Sequence, residues 1–362
     1  MILYDFPNLF LILITIIISF RLNLIPFWLS FLLSLLAFTP FFLNNVLFHP
    51  SYMPDQFDYY QVTQDIRSLT FGTSPHRTVE AASWMFAFLP MPYVETIQSL
   101  GFFNRFIITI IIIWLYASKN LRGWPLIFIV FYPSLVLYSS LALRDTLVFL
   151  FMILSIIYFI ENRRLLALFF SLPLLFIKYQ NFAILIIFFI IHLYFEKGSF
   201  FYRFRHILLT IIIVSVLPFI MTIIDKLDFL RLALFVEDGG DPSAYDPITS
   251  FMDFLILSIK SAPYFFMKPF PWETDSFLQF IQSIENVFLF IFLAFIYLKV
   301  STYDKKISFK WFIFLVVAFS IYGLMVYNFG TAVRYKFPFI LIIIIGMSRE
   351  LYLKHGKLIL NK

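Results

Sequence analysis

Cysteine is absent from the 362 residues, which excludes a disulfide framework, a thiol nucleophile and any thiolate-bound metal or iron–sulfur centre. Charge is scarce as well. Only 13% of the residues are Asp, Glu, Lys or Arg, where a soluble domain carries about 25%. With 61% of the chain hydrophobic and 22% aromatic, there is too little polar surface to coat a soluble globule. The surplus apolar surface must face lipid. Histidine occurs only at 49, 76, 192, 206 and 355, without metal-ligand spacing, so no metal site is read. Neither a Gly-x-Gly-x-x-Gly nor a Gly-Lys-Ser/Thr motif is present, and no polar segment is long enough for a cytoplasmic motor domain. A built-in nucleotide-driven pump is therefore excluded.

What the chain has in quantity is long apolar runs. A spanning helix needs about 20 mostly apolar residues, with a range of roughly 17–25, and eleven runs are candidates, several of them short for a full span: 2–20, 24–44, 102–118, 124–143, 145–160, 165–178, 181–195, 207–224, 283–298, 311–328 and 331–348. The first lacks a basic leader and a small-residue cleavage site and carries Asp5, so it reads as a span and not as a signal peptide. If the eleven alternate, every short basic connection falls on one side: Arg21, Lys119/Arg122, Arg163/Arg164, Lys197/Arg203/Arg205, Lys299/Lys305/Lys306/Lys310 and the tail Arg349/Lys354/Lys357/Lys362. That side holds 16 basic and 4 acidic residues, and the positive-inside rule makes it cytoplasmic, C-terminus included. The net charge of +6 is thereby explained without nucleic acid.

The expected fold is an all-α polytopic membrane protein, a single membrane domain over 1–362 with two external excursions, 45–101 and 225–282. Each excursion contains a moderately apolar stretch, 81–94 and 251–267, that inverts the downstream charge pattern if it crosses. These read as re-entrant or interfacial helices, the second amphipathic and bounded by Pro263 and Pro269. The alternative is that one of them crosses and a span elsewhere is miscounted.

Ionisable groups in apolar segments are costly and need a reason. Arg144 and Asp145 stand where two apolar runs meet, Lys178 ends a run, Arg105 opens one, and Arg334 and Lys336 interrupt the last. All lie near the external boundary in this topology. A solvated turn or an interhelical ion pair accounts for Arg144–Asp145, and snorkelling to the headgroups accounts for Lys178. Arg334, between Gly330 and Pro338, marks an interrupted helix. Together, three cations on one face suit an anion held there, such as a lipid diphosphate. The excursions supply carboxylates: Asp55, Asp58 and Asp65 beside Tyr59 and Tyr60 in the first, then Glu237, Asp238, Asp241 and Asp246, and Lys268, Trp272, Glu273 and Asp275 in the second. Such groups serve as a general base or hold a divalent ion, and are equally what a solvated loop looks like.

The arrangement Pro133-Ser134, then Ser139-Ser140-Leu-Ala-Leu-Arg144-Asp145, a span, the basic turn Arg163-Arg164, and a span ending in Lys178-Tyr-Gln-Asn resembles the central part of bacterial oligosaccharide repeat-unit polymerases. These are the O-antigen and capsule polymerases of the Wzy type and the related EpsG-like proteins. Asp145 stands where the EpsG-like set has Gln, and 178–181 replaces a His-containing stretch. The segments 268–273 and 334–338 resemble others in membrane proteins of polysaccharide gene clusters.

The resemblance implies transfer of a growing glycan from its undecaprenyl diphosphate carrier onto a new lipid-linked repeat unit, on the periplasmic face of the inner membrane. On this reading Arg144 and Arg334 bind the diphosphate with Lys178 assisting, and Asp58 or Asp145 orients or deprotonates the acceptor hydroxyl. Tyr59, Tyr60, Trp272 and Glu273 contact the glycan. The partners are the lipid-linked oligosaccharide, the bilayer and a chain-length regulator. No organic cofactor is implied, and a divalent cation is left open. Two other readings stand beside it: a multi-span glycosyltransferase using a polyprenyl-phosphate sugar, and a flippase for lipid-linked oligosaccharide.

Overall fold

The computed structural model describes residues 2–47, 53–70, 72, 76–88, 91–196, 200–237, 239–274 and 276–356. His49, Lys197, Asp238, Asp275, Lys357 and Lys362, singled out above, lie outside the described residues. Every regular element among the described residues is helical. The chain forms two units, Met1–Leu185 with Ser348–Lys362, and Ile186–Met347.

The first unit contains α1 (Phe6–Arg21), α2 (Phe27–Leu36), α3 (Thr39–Phe42), α4 (Asp55–Arg67), α5 (Arg77–Phe88), α6 (Ile97–Ala117), α7 (Trp124–Phe131), α8 (Pro133–Tyr138), α9 (Asp145–Ile160), α10 (Arg164–Ser171), α11 (Pro173–Ile177) and the start of α12 (Tyr179–Phe195). Helix α1 is apolar on both sides: Leu9, Ile12 and Ile16 are buried at helical spacing, while Phe10, Ile14 and Ile17 stand exposed. A helix apolar all round belongs in a core or a membrane, not at a water interface. Helix α6 is the buried centre of this unit, with Leu100, Phe102, Phe103, Ile107 and Ile111 sealed on several faces. Thr96 and Ser99 start it with a reciprocal capping box. Asp5 joins them, accepting from the Thr96 hydroxyl at 2.7 Å and the Ser99 hydroxyl at 2.6 Å. Helices α1 and α9 are followed by Asn23 and Asn162 at positive φ, a conformation Asn tolerates better than most residues.

The second unit holds the rest of α12, α13 (Phe200–Arg203), α14 (Arg205–Val216), α15 (Ile220–Glu237), α16 (Phe251–Met267), α17 (Phe277–Tyr303), α18 (Lys305–Met325) and most of α19 (Phe329–His355). In α17 a stripe of Ser283, Asn286, Leu289, Leu293, Ile296 and Val300 is buried, and the opposite side exposes Phe288, Ile291 and Leu298. Helices α16 and α18 cross closely because Gly323 lacks a Cβ that would overlap the Ser261 carbonyl oxygen. Gly346 likewise makes room for the fully buried Trp311 indole. An apolar cavity of about 710 Å³ lies among α16, α17, α18 and α19, lined by Phe266, Phe290, Tyr297, Trp311 and Phe319 among others.

Among the described residues five helices are long and apolar enough to cross a membrane: Leu3–Arg21, Ile97–Ala117, Phe277–Tyr303, Lys305–Met325 and Phe329–His355. Phe27–Phe42, Asp145–Ile160, Arg164–Ile177 and Tyr179–Phe195 are apolar but shorter. The predicted run 124–143 does not form one helix: Pro133 starts a new one, and 139–144 is not helical. Conversely, the interruption expected between Gly330 and Pro338 is absent. Helix α19 runs through both, and the chain breaks earlier, at 326–328. A proline removes a single helical hydrogen bond, which neighbouring helices can absorb. The stretch 251–267 is a helix with those very bounds.

Candidate functional site

Where α8 ends, the backbone leaves helical geometry for six residues inside apolar surroundings, and its freed groups must find partners. They find them on α4 and α6. The Gln56 Oε1 accepts the Ala142 amide at 3.0 Å. The Asn104 side-chain amide donates to the carbonyls of Leu141 and Leu143, at 2.6 and 2.8 Å. The Arg105 guanidinium donates to the Val136 carbonyl at 2.7 Å and the Ser140 hydroxyl at 2.9 Å. The Thr39 and Ser140 hydroxyls lie 2.7 Å apart. Gly101 completes the seat, since a Cβ there would overlap the Ser140 carbonyl oxygen. The stretch 139–144 is therefore latched, and it delivers Arg144 and Asp145 to the start of α9.

Asp145 is the first residue of α9, 1% exposed, where the positive end of the helix favours a carboxylate. The Lys178 ammonium lies 3.7 Å away and is also buried. Lys178 occupies the break between α11 and α12, so two interrupted helices present opposite charges to each other. The expected snorkelling does not occur, because Asp145 supplies a partner inside the protein. Arg144 is half-buried, and its Nη1 donates to the Ile177 carbonyl at 3.0 Å. Its buried Nε has no hydrogen-bond partner. Asn181, one turn beyond Lys178, is buried with its amide nitrogen 3.0 Å from the Met152 sulfur.

The tyrosines and carboxylate of the first excursion sit on α4. Asp58 is exposed. Tyr59 is 2% exposed, edge-on to Phe86 at 6.1 Å, and its ring faces protein, not solvent. Tyr60 is half-buried and donates to the Glu95 carbonyl at 2.8 Å, and burial raises its hydroxyl above the usual tyrosine range. The structure thus brings together Arg144, Asp145 and Lys178, with α4 touching the same latch through Gln56.

In the second unit Arg334 is buried, with its guanidinium 5.8 Å from the Tyr335 ring centre. Lys336, fully buried, donates to the Phe266 carbonyl at 3.0 Å and to Asn286 Oδ1. Asn286 in turn donates to the carbonyls of Met267 and Lys268. Lys336 thus caps the end of α16, where a cation meets the negative pole of the helix. Trp272 is 79% exposed and lies flat on Phe270, with ring centres 5.0 Å apart. Glu273 pairs with Lys268 at 3.1 Å. Burial pulls the Lys268 ammonium down, but hydrogen bonds to Tyr264 and Glu273 outweigh it and hold it above its ordinary value.

Sequence reasoning placed no role on Gln56, Gly101 or Asn104, and noted Arg105 only as the start of a run. It also passed over Asp228, which accepts from Arg231, the Tyr245 hydroxyl and the Ile248 amide and pins the 239–249 loop to α15. Polar residues inside apolar runs were the available signal. Among the described residues no group of three or more His, Asp or Glu is placed to hold a metal ion. No protein-family model matches the chain, and neither a curated protein nor a solved structure is significantly similar to it.

Proposed function

We propose that the protein polymerises lipid-diphosphate-linked oligosaccharide repeat units at the external face of a bacterial inner membrane. The observation that carries this reading is Arg144: a planar cation on a latched backbone break, with a buried Nε that no protein group uses. Arg144 binds the donor diphosphate, and Lys178 assists while held by Asp145. Asp58, exposed on α4, or Asp145 serves the acceptor hydroxyl as base. In the first unit Tyr60 offers a sugar-binding surface, and in the second the exposed Trp272–Phe270 stack, close in sequence to Glu273, offers another. A chain-length regulator is a partner, and a divalent cation is an open requirement.

The eleven-span topology with a cytoplasmic C-terminus belongs to this proposal. It is supported by the 2.6 Å pair of Glu161 with Arg349, which joins a turn and a tail both read as cytoplasmic. The buried contact of Lys310 with His192, at 2.9 Å, also joins residues near the cytoplasmic ends of their runs.

Arg144→Ala is expected to lower polymer formation by about 100-fold, the scale of losing one charge-stabilising donor, with normal insertion in the membrane. Wild-type polymer ladders from an inserted Arg144→Ala protein would remove Arg144 from the reaction and this reading with it. The polyprenyl-phosphate glycosyltransferase remains the second reading, favoured by the exposed acidic face of α4. Supplying each labelled carrier separates the two.

A further inference from the structure

Arg105 stands in α6, one of the five long apolar helices, and is 1% exposed. A guanidinium keeps its proton in proteins, so this position carries a buried positive charge. Its hydrogen bonds go to a carbonyl and a hydroxyl, both neutral, and its Nε has no partner. No carboxylate pairs with it among the described residues. Two neutral acceptors do not call for a charge; a side-chain amide can serve them as well.

Arg144 repeats the pattern on the same latch, with a neutral carbonyl for Nη1 and nothing for Nε. Lys178, by contrast, is matched by Asp145. Among the described residues the latch therefore holds one ion pair, Lys178 with Asp145, and two arginines that form no ion pair with a carboxylate. Asp5 is spent on three neutral donors, Asn8, Thr96 and Ser99, at the start of α6. Asp55 and Asp58 are exposed, where water and salt screen them. Charges of one sign inside a low-dielectric region are costly until an anion arrives.

Resting on the reading that this site receives a lipid-linked phosphate, we infer that Arg105 sets the charge of the anion the site accepts. With Arg144 it makes an excess of two positive charges, which matches a sugar-linked diphosphate (two negative charges) better than a sugar-linked monophosphate (one). Arg105 acts through its field and not by contact. Ser140, which it holds, and Arg144 are four residues apart, at most about 14 Å of chain, and a buried charge acts over that distance with little salt screening.

The test is competitive binding to the full-length protein in neutral-lipid nanodiscs. The probes are a polyprenyl diphosphate sugar and a polyprenyl monophosphate sugar of equal chain length and identical sugar. Wild type is expected to prefer the diphosphate by about tenfold or more. Arg105→Gln is expected to bring the two affinities within about threefold, mainly by weakening the diphosphate. Arg105→Lys keeps the charge and is expected to keep the preference, which carries the test alone if the Gln variant fails to insert. A folded Arg105→Gln that retains the preference overturns the inference while leaving the proposed function standing. Loss of the preference in Arg105→Lys does the same, because geometry and not charge is then responsible. Wild type that binds neither probe, or prefers the monophosphate, overturns the polymerase reading as well. Inorganic diphosphate is expected to compete only weakly. Equal competition assigns the site to a soluble anion and overturns the lipid-linked reading.

Discussion

Asp145 and Lys178 are each more than nine-tenths buried and lie 3.7 Å apart. Removing one charge of such a pair strands the other in a low-dielectric interior, at a cost of about 3–5 kcal/mol. Asp145→Asn is expected to lower the unfolding temperature in detergent by that measure, and adding Lys178→Met is expected to recover much of the loss. A single variant as stable as wild type means that the pair is not held as described. Lys336 differs in kind. Its charge meets the end of α16 and the Asn286 amide, so it reads as a structural cap and not as a ligand group. From sequence alone Lys178, Arg334 and Lys336 look alike, each a cation in an apolar run. What tells them apart is the partner each one meets.

At the scale of elements, the break before α9 depends on how closely α6 approaches it. Gly101→Ala puts a methyl into the Ser140 carbonyl oxygen and is expected to cost about 1–3 kcal/mol. It should also displace the latch, reducing polymer formation even at temperatures where the protein is folded, as read from ladders and unfolding curves together. Helix α16 begins with Ser250 accepting the Asp253 amide, while Asp253 accepts the hydroxyls of Thr249 and Ser250 at 2.7 and 2.8 Å. Those hydroxyls hold the Asp253 carboxyl below its ordinary value. Its contribution is complete above the usual carboxylate range and fades as pH falls through the depressed folded value. Protection of the first-turn amides of α16, taken relative to their intrinsic exchange rate at each pH, is expected to be full at neutral pH and to fall only in acid below the usual carboxylate range. Asp253→Asn should remove that dependence. Protection that does not change across that range in the wild-type protein would rule out the cap.

On the scale of the whole molecule, the exposed side chains of α1 and α17 are large and apolar, and a water-soluble surface does not carry such stripes. In the proposed topology the charge asymmetry assigns the sides. Because the chain has no cysteine, single cysteines report accessibility without background. Ser68→Cys, exposed after α4, is expected to label from outside intact cells, and Thr302→Cys, exposed near the end of α17, only after permeabilisation. Labelling of both from one side would sink the eleven-span topology and the external placement of the site.

The helical class and the points at which cations interrupt apolar runs were legible in the sequence, because hydropathy is read over a local stretch of chain. The latch was not. Its hydrogen bonds join Gln56 to Ala142 across 86 positions and Asn104 to Leu143 across 39. Hydropathy reads 124–143 as one run, and nothing local says that it opens at 139–144 or which side chains will satisfy the opened backbone. Nor does local pattern show that Tyr59 turns inward while Asp58, its neighbour, turns out. Composition determined that the chain belongs in lipid. Only packing, which brings distant polar groups into a region without water to serve them, decided which partner each cation meets.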